Sequence, residues 1–306
     1  MNYTTFSDDL ERYEDADELR AFYRTYSCAG IELTPSDESL PALIQPDMII
    51  GIHMYCLSDW MDIPQEDLIA YYRPNLELAR HVNAEYVVFH VTQVCPEECF
   101  TYQFRHTDEE VIRAAGSLIN GLLDGQGYDF HFLMENLWWP GLNFADPKIA
   151  PMLLDLVHYE KKGFMLDTGH FLHTNLNLRT QSEALQYLHT MLDEHEGILP
   201  YVKGIHLQQS LTGSYVKEWL SHPQELPDDP DERSCRLFEH IFRIDRHFPF
   251  TEPAVRELVK RIDPEYVTYE YISHNKEEHA GYLKAGSEAL LGAYPENRSE
   301  EYTHLA

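Results

Sequence analysis

The sequence predicts a single (β/α)8 TIM barrel over residues 1–306, with a long insertion near residues 208–250. Three observations predict it. Short apolar segments alternate with longer amphipathic ones, as repeated β-α units require. The apolar segments are near-continuous runs of Val, Ile, Phe and Tyr, suited to a parallel sheet covered on both faces. The length of 306 residues also fits one barrel, which needs about 250 residues, with room for an insertion.

In chain order, strands are predicted at 29–34 (AGIELT), 48–55 (MIIGIHMY), 85–92 (EYVVFHVT), 130–137 (FHFLMENL), 163–168 (GFMLDT), 201–208 (YVKGIHLQ) and 265–271 (EYVTYEY). An eighth is placed at Asn2 to Phe6. Helices are predicted near 65–82, 107–124, 146–160, 180–195, 251–262 and 276–292. Thr107-Asp108 and Thr251-Glu252-Pro253 read as helix starts, with Pro253 in the first turn. The acidic stretch at 8–18 reads as a solvated helix face. Residues 208–250 are too long for a simple connection and carry HPQELPDDPDER, so they are placed over the barrel mouth.

The formal charge of −29 comes with no visible basic stripe of the kind a duplex nucleic-acid binder presents to phosphates, which disfavours duplex DNA. No run of apolar residues is long enough to span a membrane, and the first twenty residues are acidic with no apolar signal region. A cytoplasmic location is expected. The five cysteines, Cys28, Cys56, Cys95, Cys99 and Cys235, are too few and scattered for a disulfide framework and read as reduced thiols.

Six predicted strands carry one His, Asp or Glu near the C-terminal end: His53, His90, Glu135, Asp167, His206 and Glu270. That end of the strands forms the functional face of α/β barrels. Alternation puts Gly51 with His53, Val88 with His90 and Leu133 with Glu135, an apolar layer beneath a polar rim. His170 follows Asp167 in LDTGH, where Gly169 is expected to permit a tight turn, and IDRHFPF supplies Asp245 and His247. A single strand-end histidine is more often structural, and His131 reads as a core residue. One such group on nearly every strand is different. Converging buried carboxylates call for cations, and five histidines with four carboxylates and no thiolate suit Zn, Mn or Fe.

At these residues the chain resembles the xylose isomerase-like TIM barrel superfamily (AP endonuclease family 2), from GIEL at 30–33 to VTYE at 267–270. The resemblance implies that Glu135, Asp167, His206 and Glu270 hold a catalytic divalent metal. All nine positions resemble the three-metal endonuclease IV-like branch. There, His53, His90 and Glu135 would share one ion, Glu135 would join Asp167, His206 and Glu270 on a second, and His170, Asp245 and His247 would hold a third. Epimerases of the superfamily commonly place an Arg six residues after the ligand histidine, where this chain has Thr212.

The implied function is a divalent-metal-dependent hydrolase. It would act as a phosphodiesterase on a small or nucleotide-like phosphoester, using a metal-bound hydroxide. Glu135 and Glu270 are the catalytic candidates. The alternatives are a single-metal sugar or sugar-phosphate isomerase or epimerase, an abasic-site endonuclease, and a non-catalytic metal-binding barrel. A long insertion and an acidic surface count against the endonuclease. Tyr55, Trp138, Trp139, Gln208, Gln209, Ser210 and Lys217 are candidate substrate contacts, the tryptophans by stacking or by packing under the insertion. Arg105 and His106 are candidates for a phosphate. The expected partner is a small phosphorylated molecule, not duplex nucleic acid or a membrane.

Overall fold

The computed structural model describes residues 3–7 (as backbone), 12–35, 43–222 and 226–292. Eight parallel strands close into a barrel in sequence order: β1 Tyr3–Ser7, β2 Gly30–Leu33, β3 Ile49–His53, β4 Tyr86–His90, β5 His131–Glu135, β6 Lys162–Asp167, β7 Val202–His206 and β8 Tyr266–Glu270. Closure is made by β1, whose Tyr3 to Ser7 pair with Tyr266 to Glu270 of β8. The helices are α1 Ala16–Thr25, α2 Gln65–Val82, α3 Pro96–Thr101, α4 Asp108–Leu123, α5 Ile149–Leu156, α6 Thr168–Leu172, α7 Gln181–Glu194, α8 Gly213–Ser221, α9 Pro230–Ile244, α10 Val255–Ile262 and α11 Lys276–Leu291.

Predicted and observed elements agree closely, with physical reasons for the differences. Helix α4 starts where Thr107 caps it and Glu110 returns the bond to the Thr107 backbone, a reciprocal capping box. By contrast α10 begins at Val255, so Pro253 lies in the turn before it rather than in its first turn. Helices α1, α3, α6, α8 and α9 had no counterpart among the predicted helices; part of α1 coincides with the acidic stretch at 8–18.

The barrel interior is filled by Tyr86, Val88, Leu133, Met165 and Tyr266, the residues that alternate inward below the strand ends. Two glycines make room for them. A Cβ on Gly51 would stand 2.3 Å from the Tyr86 ring, and one on Gly204 would stand 2.6 Å from Met165. A much larger apolar layer lies between the strands and the surrounding helices. His131 sits at the opposite end of β5 from Glu135, half-buried, with Nδ1 3.1 Å from the Tyr266 hydroxyl.

The insertion folds as α8 and α9. They pack with α3 around Val94, Phe100, Leu137, Trp139 and Trp219, separately from the main core. Trp219 donates its indole N–H to Phe100 O, and the His240 ring reaches Tyr215 and the Cys99 carbonyl. An antiparallel bridge closes its base: Gln209 N–H donates to Phe248 O at 2.8 Å and Phe248 N–H donates back at 3.0 Å. That bridge returns the chain to the mouth with Asp245 and His247 beside α6.

Candidate metal centre

Register explains why the polar groups meet. His90 pairs with Glu135 across β4 and β5, and Asp167 pairs with His206 across β6 and β7, so their side chains emerge at one rim. Both oxygens of Glu135 are occupied from different sides. Oε2 lies 3.1 Å from His53 Nε2 and 3.0 Å from His90 Nε2, while Oε1 lies 2.9 Å from His206 Nδ1. His206 Nδ1 is also 3.1 Å from Glu270 Oε2 and 3.8 Å from Asp167 Oδ2.

The third group forms beyond the strands. Asp167 caps α6 by accepting from His170 N–H at 2.6 Å, which fixes the Asp-x-x-His pair in one turn. Asp245 Oδ2 then lies 2.9 Å from His170 Nε2 and 2.6 Å from His247 Nε2. His247 has φ +47°, a left-handed conformation that is strained for a residue with a Cβ. Ser210 Oγ accepts from its N–H at 3.1 Å, and its Nδ1 reaches Glu270 O at 2.8 Å. All nine sequence-predicted residues therefore converge in the three groups set out above, and a fourth, overlapping group brings Glu32 to His53, His206 and Glu270.

The donor chemistry fits divalent cations. Glu135 and Asp167 are fully buried, and every ion pair made by Glu135, Asp167, Asp245 and Glu270 among the described residues is to a histidine. Asp167 Oδ2 is buried with no hydrogen-bond partner among the described residues, a costly state unless a cation faces it. The outer atoms are fixed: His53 Nδ1 lies 3.2 Å from Met54 O and His170 Nδ1 lies 2.8 Å from Asn136 O, leaving each Nε2 turned inward. Asn136 also exchanges two bonds with the Asp167 backbone.

Glu32, on β2, was not among the sequence candidates. It is buried, with a carboxylate oxygen 3.0 Å from His206 Nε2, and it accepts from the Tyr86 hydroxyl at 2.6 Å and from Thr268 Oγ1 at 3.0 Å. A lone acid in GIEL, alternating inward with Gly30, was the available signal. Glu32 orients the His206 ring from below and favours a proton on its far nitrogen, freeing Nδ1 for a cation. Glu32→Gln is expected to weaken metal binding about 10- to 100-fold, read by competition against a chelating dye. Unchanged affinity would make Glu32 a packing residue only.

Several candidates are placed differently from expectation. Gln208 is buried and donates to Asp167 Oδ1 at 2.9 Å, so it steadies a candidate ligand rather than facing substrate. Lys217 sits on α8, exposed, and donates to Asn177, away from the mouth cavity. Arg105 is engaged by Asp59, Asp62 and Glu98, which leaves a phosphate at His106 and Arg105 unsupported. Gly169 is needed for space, not for a turn: a Cβ there would fall 2.0 Å from the Gln208 amide. Gln209 and Ser210 brace Phe248 and Asp245, respectively. Tyr55, Trp138 and Trp139 do line the cavity of about 610 Å³ above the cluster. All five cysteines are free.

The charges of this cluster set its pH response. For Glu135, burial raises the pKa, but the charges of His90 and His206 overcome it and hold the carboxyl well below its usual range. Burial wins at Asp167 and pushes it up to about 6, against the pull of His170 and His247. His247 moves the other way: burial lowers it, yet the Asp245 charge and hydrogen bond lift it to about 9. His170 and His206 are raised as well, against burial, by Asp167 with Asp245 and by Glu32 with Glu135. His247 therefore holds a proton at neutral pH that a cation must displace. Metal uptake is thus expected to release protons and to tighten as pH rises toward about 9, by about tenfold per pH unit for each proton displaced. Zinc titrations at three pH values, with proton release followed in weakly buffered solution, measure it. Affinity that falls as pH rises would contradict the assignment.

No protein-family model matches the chain, and no curated protein matches it by sequence. Solved structures do match. Endonuclease IV from Thermus thermophilus is 19% identical with a TM-score of 0.53, covering 96% of this chain and 100% of that one. The 3-keto-D-glucoside 4-epimerase of E. coli is 12% identical with a TM-score of 0.54, covering 94% and 99%. A xylose isomerase-like TIM barrel protein from Mycobacterium smegmatis, solved in complex with magnesium, is 16% identical with a TM-score of 0.52, covering 90% and 89%. No helix among the described residues is long and apolar enough to cross a membrane. The fold of this chain is that of the xylose isomerase-like TIM barrel proteins.

Proposed function

We propose that the protein is a divalent-metal-dependent hydrolase that cleaves a phosphoester in a small or nucleotide-like molecule. One observation carries the reading: the nine residues fall into three adjoining histidine–carboxylate groups, two of them sharing Glu135, among four overlapping groups of which the fourth joins Glu32 to His53, His206 and Glu270. The single-metal alternative leaves the His170, Asp245 and His247 group without an assigned role. Zn, Mn or Fe ions held there would supply Lewis-acid neutralisation of phosphoryl oxygens and acidify a water molecule.

The protein's own part is positioning and proton handling. Glu135 spans two groups with its two oxygens, which fixes their separation. Glu270 is the most accessible of the four candidate ligand carboxylates, its side chain 19% exposed against 0% for Glu135. It is the group placed to accept a proton from the attacking nucleophile. The net charge of −29 works against duplex DNA and favours a small substrate.

A second reading is a sugar or sugar-phosphate isomerase or epimerase. Glu135 and Glu270 approach His206 Nδ1 to 2.9 and 3.1 Å, a carboxylate pair around one position of the kind that two-base proton exchange at carbon uses. Elemental analysis, followed by phosphodiester and ketose panels, separates the two. Close to three ions per chain with phosphodiester turnover supports the hydrolase. One ion per chain with epimerisation replaces it, and intact metals with no turnover on either panel leave a binding barrel.

A further inference from the structure

The cavity above the metal-ligand cluster has two unlike halves. Its floor is the cluster itself, reached through His53, His90, His170, Asp245, His247 and Glu270. Much of its wall is apolar: Trp138 and Trp139 together with Leu237, Phe238, Ile241 and Phe242 of α9 in the insertion, with Trp138, Trp139, Leu237 and Ile241 packed in one cluster. Phe238 and Phe242 are 55% and 49% exposed, an expensive arrangement for large apolar side chains without an occupant. They are stacked at 6.2 Å, and the two tryptophans meet each other at 4.5 Å. Trp138 also lies 5.3 Å from the His170 ring, so the aromatic wall reaches down to the floor.

The polar groups a free sugar or sugar phosphate needs are sparse here. Among the described residues lining the cavity, the one lysine or arginine is Arg12, which donates twice to Ser273. The indole N–H groups of Trp138 and Trp139 and the Tyr271 hydroxyl are buried with no partner among the described residues, a few donors for acceptors on a ligand. At about 610 Å³ the space takes a small molecule of some twenty to forty heavy atoms, not a folded partner or a duplex.

We propose that the substrate carries a bulky, flat apolar group that lies against the wall formed by α9 and Trp138–Trp139, while its oxygen-bearing end meets the carboxylate–histidine floor. The inference rests on the metal-centre reading above, but not on which reaction occurs there. Phe238 and Phe242 are then specificity residues, and the insertion exists to supply the apolar wall.

The test uses the full-length, zinc-loaded protein and two hydroxamates, which bind metals through the same two oxygens whatever the enzyme's chemistry. 2-Naphthohydroxamate is expected to bind about 50-fold more tightly than acetohydroxamate by titration calorimetry, from the extra apolar area covered. Metal retention is checked by elemental analysis. In the Phe238→Ser, Phe242→Ser double variant, whose altered side chains are half-exposed, acetohydroxamate affinity is expected to hold and the naphthyl preference to fall below about fivefold. Equal affinities in the unaltered protein would overturn the proposal, as would a preference that survives the double variant. A preference that persists after metal removal would also overturn it, by separating wall from floor. Failure to hydrolyse any phosphodiester, with the preference intact, counts only against the hydrolase.

Discussion

Glu135→Gln is expected to empty two of the three groups at once and to lower turnover at least about 1,000-fold. The substitution keeps the size of the side chain and removes its charge. Oε2 no longer serves the His53 and His90 group, and Oε1 no longer serves the Asp167, His206 and Glu270 group. The His170, Asp245 and His247 group makes a longer approach to Glu135, with His170 Nδ1 3.5 Å from Oε1, and it should keep its ion. Metal content per chain should therefore fall by about two-thirds rather than to zero. A variant that retained every ion and full turnover would remove Glu135 from the centre.

Chelation is expected to lower the midpoint of thermal unfolding by about 8 °C, and adding back zinc or manganese should restore it. Ions that bind the folded chain at about 1,000 times their dissociation constant contribute about 4 kcal/mol, and a domain of this size shifts about 2 °C per kcal/mol. The physical source is the set of buried and half-buried acids whose ion pairs among the described residues run only to histidines. Without cations the His247 proton supplies part of the compensating charge, so the loss should be larger at pH 9 than at pH 7. The sign follows from His247, lifted to about 9, whose proton and stabilising charge are lost as pH rises through that value. Scanning fluorimetry with and without chelator, at both pH values, provides the measurement. An unchanged midpoint at pH 9 would mean that no cation is structural.

Six of the strands were readable because each is a short, mostly apolar run ended by one polar residue, a pattern that survives without knowing its neighbours. Even β1, at Tyr3–Ser7, fell within a residue of the expected Asn2 to Phe6. Six of the nine converging residues were readable because strand ends share one face in a closed barrel, and His170, Asp245 and His247 from the LDTGH and IDRHFPF spacings and the family resemblance. What stayed hidden depends on contacts between distant segments. Glu32 has the look of any strand acid until His206 is found 3.0 Å away. Gly169 suggested a turn, whereas its role is to admit the Gln208 amide, 39 residues later in the chain. Helices α8 and α9 were masked by the prolines and acids around 222–233, which begin α9 rather than break it: Pro230 opens the helix and Asp229 caps it.

The paired backbone bonds between Gln209 and Phe248 act as a clasp, so the arm between them is anchored at both ends independently of what it contains. Chains of this architecture could then exchange or lengthen that arm, and with it the repertoire of molecules admitted, without disturbing the positions of Asp245 and His247. Grafting a different arm between Leu211 and Ile244 should retune selectivity while metal stoichiometry stays constant.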